Sequence, residues 1–301
     1  MLSTSVSRRA GVALTVVAML QVAGASGSEK NAGSVRASAD RRAADYRPPA
    51  ARLEAVSPDH ALLPALKDAR QWLSQARQKV RDFHCRVTKR ERIDGVLQEF
   101  YYIEMWVREE VRVGEQVRSP FSVYMEFLGP KSVYDRRLLY VDGRNEGKIV
   151  VRKGGPRFEY VVTEVDADAE STKSESLCPI TQSGFIPLLA EIVATMERHM
   201  SADPTGENTL VTHPQGARVD GRPCQVVRIT HPEKQDGLDF HAATYFIDAE
   251  LGVPARIEKL DWPRKPDAAP GLIAEYNYTK VQINLGLTDS TFDPKRLRAK
   301  R

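Results

Sequence analysis

The sequence predicts an α+β fold: an antiparallel sheet with helices laid over one face. Three observations carry that expectation. Between Gly221 and Phe292 three extended, β-rich runs follow one another with short turns between them, the pattern of an antiparallel meander. Two segments, one near residue 62 and one near residue 185, repeat apolar residues at helical spacing. Several strands of the first half are apolar on both faces. An antiparallel sheet with a wet face shows apolar–polar alternation instead, so both faces here need cover: a helix for one, and a second layer or an apolar cavity for the other.

Of the 301 residues, the first 25 stand apart from the fold. Arg8 and Arg9 precede the uncharged apolar run 10–23, and a small-residue site follows at Ala23-Gly24-Ala25. A basic start, a short apolar stretch and an A-x-A site describe a secretory signal peptide cut near Ala25; a spanning helix would need roughly 20 apolar residues. Export to the periplasm or cell envelope is therefore expected. No cysteine follows the apolar stretch to mark a lipid anchor. Residues 26–56 are rich in Ala, Ser, Gly and Arg without periodicity and read as a flexible spacer.

The leader carries two arginines and no acid, so its removal lowers the formal net charge of +4 by two. That balance argues against a nucleic-acid partner, which would call for a basic face or stripe. It would suit loose peripheral contact with an anionic membrane as well as an ordinary solvated surface.

The folded part is expected to be one domain over residues 57–294, ending in a basic tail at 295–301. Ser57 and Pro58 fit a helix cap and first helical position; Leu62, Leu66, Ala69, Leu73, Ala76 and Val80 form one apolar stripe reaching about Arg81. Asp82–Arg90 alternates as a strand, and Asp94-Gly95 is a hairpin signal. The returning strand places Tyr101, Ile103, Met105 and Val107 opposite Phe100, Tyr102 and Trp106. Phe121–Leu128 repeats that, with Met125 and Phe127 opposite Tyr124. Leu138–Val141 and Lys148–Arg152 form a pair, and Gly154–Ser176 reads as a polar exposed loop. Gly184–Met200 is the second helix, with Pro187 in its first turn.

Catalytic patterns are missing: there is no G-x-S-x-G, no phosphate-binding loop and no dinucleotide fingerprint. His199, His213, His231 and His241 show no H-E-x-x-H or H-x-H spacing, so neither a metal site nor a cofactor is assigned, and a metal-dependent hydrolase built on them is the least favoured alternative. Cys85, Cys178 and Cys224 admit one disulfide and a leftover thiol. Cys85–Cys224 is the first choice of pair, Cys178 the alternative partner, and three small buried thiols the remaining reading. The residues that suit the lining of an apolar cavity are Met105, Trp106, Met125, Phe127, Tyr245, Ile247, Tyr276 and Tyr278. The thioethers adapt to irregular apolar shapes, and Tyr276 and Tyr278 share one sheet face with hydroxyls placed to flank a wet mouth.

Several blocks together carry a resemblance: D-F-H-C-R-V-T-K-R-E-R-I-D-G at Asp82–Gly95, F-S-V-Y-M-E-F-L-G-P at Phe121–Pro130, L-L-Y-V-D-G-R-N-E-G-K at Leu138–Lys148, and the runs around Cys224, Phe246–Glu258 and Glu275–Asp293. Over roughly Leu62–Asp293 the chain resembles a family of exported bacterial proteins known only as a domain of unknown function. The terminal pattern is also distantly similar to LolA/LolB-type periplasmic lipoprotein carriers: a strand ending I-D (Phe246–Asp248), a turn, a strand beginning P-x-R-I (Pro254–Ile257), then Asn284 and Phe292-Asp293-Pro294. That likeness implies an incomplete antiparallel barrel, a half-barrel whose concave face is covered by helices, and a cavity for the acyl chain of a lipid or lipoprotein. It also implies a non-catalytic binding role, with an envelope protein partner as the alternative use of the same fold. The chain departs from the carriers in its length, in its polar insertion at Gly154–Ser176 and in its strand cysteines, and no lipoprotein-handling residue maps onto it.

Overall fold

The computed structural model describes residues 56–298 apart from Phe158, Glu159, Asp168, Glu170, Ser171, Lys173 and Ser174. The expected leader and residues 26–55 of the spacer lie outside the described residues.

Helix α1 (Leu62–Lys79) leads into β1 (Asp82–Ile93), β2 (Val96–Leu97), β3 (Tyr101–Arg108), a separate hairpin of β4 (Val111–Val113) and β5 (Gln116–Ser119), then β6 (Ser122–Gly129), β7 (Arg137–Val141), β8 (Lys148–Arg152) and β9 (Val162–Asp166). Helix α2 (Phe185–Ala202) follows, then β10 (Leu210–Thr212), β11 (Arg218–Val219), β12 (Arg222–Thr230), β13 (Ala242–Asp248), β14 (Pro254–Asp261), β15 (Gly271–Ile283) and the short α3 (Lys295–Arg298). Thirteen strands form one open sheet in the order β10-β12-β13-β14-β15-β1-β3-β6-β7-β8-β9, with β2 and β11 pairing at its side. The pairings are antiparallel. The fold is an α+β half-barrel. Its two sequence halves are joined edge to edge by β1 and β15, from Phe83 opposite Ile283 to Glu91 opposite Ala274.

Period-two alternation decides which side chains meet the helices. Phe83, Cys85 and Val87 of β1, Ile103, Met105 and Val107 of β3, and Tyr245 and Ile247 of β13 are buried in one core with Leu66, Ala69 and Leu73 of α1 and Phe185, Leu189 and Met196 of α2. Phe83 and Phe185 stack at 4.0 Å between ring centroids, which seats α2 on the central strand. The apolar stripe of α1 is buried as its spacing predicts. The helix starts later than expected, because Leu62 N–H is met by Nδ1 of His60 at 3.1 Å rather than by Ser57.

The opposite face is covered in part. Tyr124, Leu139 and Val141 form a second cluster with Phe292 and Leu297 from the chain's end, and Trp106 packs beside them. Residues 295–298, expected as a tail, are helical and dock there, with Leu297 fully buried. On neighbouring β1 and β3 the outer face is a charged ladder instead: Glu104 receives Nε2 of His84 at 2.7 Å and Nε of Arg86 at 2.8 Å. Gly154–Ser176, expected as loop, contributes β9, which extends the sheet beyond β8. Its alternation is masked in sequence by charge, because an edge strand has little to bury.

Candidate functional site

A cleft of about 70 Å³ opens between α2, the segment Leu177–Gln182 and strands β13–β15. The register explains why these residues meet. Tyr245 of β13 lies opposite Ile257 of β14, which lies opposite Tyr276 of β15, so the three share the helix-covered face. Lys259, two residues beyond Ile257, projects from that same face. Leu188, Glu191, Ile192 and Thr195 line the cleft from α2 at spacings of three and four.

The floor is tightly bonded. Tyr276 donates its hydroxyl to Oε1 of Glu91 at 2.5 Å, and Lys89 Nζ holds Oε2 of the same carboxylate at 2.8 Å. Ser176 Oγ donates to Oε1 of Glu91 at 3.1 Å and accepts Cys178 N–H at 3.2 Å, tethering the segment that forms the near wall. Burial, with Glu91 adding to it, holds the Tyr276 phenol well above its ordinary range. Burial also pushes the Cys178 thiol up to about 11, so it stays a thiol at neutral pH and is a poor nucleophile.

Tyr245 and Lys259 bring two hydrogen-bond donors to the cleft lining. The Tyr245 hydroxyl is buried and finds no hydrogen-bond partner among the described residues. Lys259 sits 5.9 Å from the Phe240 ring centroid. Burial depresses its pKa, while Glu191 and Asp239 pull the other way through space.

The structure separates the residues expected to line a cavity. Tyr245, Tyr276 and Tyr278 line the cleft. Tyr276 and Tyr278 are nonetheless buried, not set at a wet mouth: one hydroxyl is committed to Glu91, and the other ring packs edge-on against Phe185 at 5.6 Å. Met105, Met125, Phe127 and Ile247 lie on the same face but are filled core. Trp106 is a correction, since it points to the outer face. There it stacks on His84 at 4.7 Å between centroids, with the Arg296 guanidinium 5.0 Å from its ring. The Cys85–Cys224 pair is a second correction: Cys85, Cys178 and Cys224 are all free thiols. Cys85 is on β1 and Cys224 on β12, with β13, β14 and β15 between them, well beyond the roughly 7 Å that a disulfide spans between Cα atoms.

Lys259, Glu191 and Cys178 were missed as site residues. Lys259 breaks the apolar alternation of β14 on its buried face, a signal readable only once that face is known.

The histidines form a buried relay of another kind. His231 Nδ1 lies 3.0 Å from the Asn208 carbonyl and Nε2 lies 2.9 Å from Nδ1 of His199, while Nε2 of His199 accepts Asp239 N–H at 3.1 Å. His231 protonated on Nδ1 donates to the Asn208 carbonyl and leaves Nε2 to accept His199 Nδ1–H, while Nε2 of His199 also lies 3.4 Å from Oδ2 of Asp239. Their ring nitrogens are therefore engaged within the fold.

Fold and site together define an open half-barrel with a small cleft beneath its second helix. The chain belongs to the DUF1571 family, described as a protein of unknown function, whose profile matches residues 80–300. No curated protein matches the sequence. Among solved structures it is similar to a LolA superfamily protein from Nitrosomonas europaea, at 10% identity over 76% of this chain and 98% of that one, with a TM-score of 0.31. It is similar to the Mycobacterium tuberculosis lipoprotein LppX at 14% identity over 74% and 99%, TM-score 0.37. It is also similar to a chain of the Pseudomonas aeruginosa MucA/MucB complex at 14% identity over 76% and 62%, TM-score 0.41. No helix among the described residues is long and apolar enough to cross a membrane.

Proposed function

We propose that this is an exported, non-catalytic binding protein of the cell envelope that takes an acyl chain of a lipid or lipoprotein beneath α2. The observation that supports this reading most is the cleft between α2 and β13–β15, where Leu188, Ile192 and Ile257 offer apolar wall. Its volume of about 70 Å³ holds a chain end, since a water needs roughly 10–15 Å³ on the same measure. Each methylene buried there contributes about 0.8 kcal/mol. The remainder of the inner face is closed by packed side chains such as Phe83, Phe185 and Met196, so a longer chain enters only as α2 moves off the sheet.

Native mass spectrometry with lipid extraction, on mature protein purified from its own envelope fraction, tests this. Bound acyl species are expected. A clean apo mass with no uptake of added lipid would overturn it.

A protein-interaction role has one supporting observation. The β4–β5 hairpin pairs apart from the main sheet and exposes Val113 and Val117 near its Gly114-Glu115 turn, apolar side chains available to a partner. A stable protein complex from envelope extracts, free of lipid, favours that role.

A further inference from the structure

The cleft is not wholly apolar. Tyr245, one of its lining residues, is fully buried, and its hydroxyl has no acceptor among the described residues. A buried phenol normally finds a partner, and leaving one unmade costs free energy comparable to a lost hydrogen bond. Lys259 shares that face two residues from Ile257, the residue directly opposite Tyr245. Its ammonium has the Phe240 ring beside it, and Glu191 and Asp239 act on it favourably through space. Two donors therefore converge on one cleft whose walls, Leu188 and Ile192, are apolar.

We propose that Lys259 and Tyr245 form a head-group subsite for a carboxylate, so that the ligand is a fatty acid or another single-chain monocarboxylic amphiphile. This rests on the acyl-binding reading of the same cleft. The carboxylate ion-pairs with the Lys259 ammonium and accepts the Tyr245 hydroxyl, while the first methylenes lie against Leu188, Ile192 and Ile257. Charge selects a monoanion over a phosphate dianion. Glu191 lines the same cleft and Asp239 acts on Lys259 through space, so a phosphate dianion meets more repulsion there than a monocarboxylate.

The probes are decanoate, decanol and decyl phosphate, titrated calorimetrically into the mature full-length chain at pH 7.5. Decanoate is expected to bind saturably and to exceed decanol and decyl phosphate by on the order of tenfold or more, the scale of a charge-assisted hydrogen bond. Lys259→Met keeps the stem and removes the charge, and it should abolish the preference for decanoate over decanol. Tyr245→Phe should weaken decanoate by several-fold and leave decanol unchanged. The two variants are checked by unfolding midpoint, and Tyr245→Phe carries the test if Lys259→Met does not fold. Equal binding of decanoate and decanol, unmoved by either substitution, overturns the carboxylate subsite and leaves the acyl-binding function standing. Tightest binding of decyl phosphate reassigns the head group and overturns it too. Binding of none of the three overturns both.

Discussion

His231 lies with Nε2 2.9 Å from Nδ1 of His199, and both rings are fully buried. Through His199 on α2 and His231 just beyond β12 this contact joins the end of a helix to the end of a strand. It also fixes a dependence on pH.

Burial, and the nearby His199 and His60 rings, bring His231 down to about 4, against the Asn208 carbonyl bond and Asp203, which act to raise it. The unfolded ring titrates near 6.5. Stability from keeping this ring neutral is therefore complete above pH 6.5 and lost as pH falls toward 4, about 3 kcal/mol over that window. Urea unfolding at half-unit pH steps measures it. His231→Asn retains a donor for Asn208 and should flatten the slope; an unchanged slope would sink the assignment.

Glu109 works in the opposite direction. It is buried beside α2, where its Oε1 accepts Ile186 N–H at 3.1 Å, and a Cβ on the capping residue Gly184 would come within 2.7 Å of Oε2. Burial raises its carboxyl to about 7 despite the bonds from Ile186 and Phe185. A raised acid favours the fold below its unfolded value near 4.5 and loses that advantage as pH rises through 7. Glu109→Gln keeps an acceptor for the helix N–H groups and removes the ionisation cost, so it should stabilise the protein at pH 8 by about 1–3 kcal/mol. Because the two slopes oppose each other, the His231 profile is measured most cleanly with Gln at position 109.

The chain's end is a structural strap. The Arg296 guanidinium lies 4.1 Å from the Tyr124 ring centroid and 5.0 Å from that of Trp106, and its carbonyl accepts Arg137 Nη1 at 2.7 Å. Arg296→Ala should cost about 1–2 kcal/mol. Ending the chain at Asp293 also removes the buried Leu297 and uncovers Tyr124, Leu139 and Val141. Thermal unfolding should then fall further, with new binding of a hydrophobic dye. An unaltered midpoint and no dye binding would contradict the strap.

With three free thiols, protein purified and denatured without reductant should take up three equivalents of an alkylating reagent per chain. In the native state Cys85, fully buried with its thiol raised by desolvation, should not react. An intrachain disulfide detected by mass would refute the arrangement of β1 and β12.

Much of the fold was legible. The spacing of Leu62, Leu66, Ala69 and Leu73 gave α1 its buried face, and Phe185, Leu189 and Met196 did the same for α2. Asp94-Gly95 supplied a hairpin, with both residues at positive φ, and the terminal meander forms as its turns required. Met105 and Met125 fall on apolar strand faces as the alternation requires, and the register sets them directly opposite each other on neighbouring strands. The errors arose where the answer lay far along the chain: Trp106, on the face opposite Met105 as its alternation requires, was assigned to the cavity, Cys224 was given the wrong neighbour, and the last residues no role.

Local chemistry explains that division. Alternation, helical spacing and turn residues act over a few positions, so the sequence by itself determined the two long helices, the central strands, the α+β class and the doubly apolar strands of the first half, but not the edge strand β9 or the helical turn at 295–298. Which cover each face receives depends on contacts between residues far apart in the chain, such as Trp106 with Arg296, or Phe83 with Phe185. Only the tertiary structure brought Cys178, Tyr245, Lys259 and Tyr276 to one cleft, because strand register and the docking of α2 set those positions and no local pattern records them.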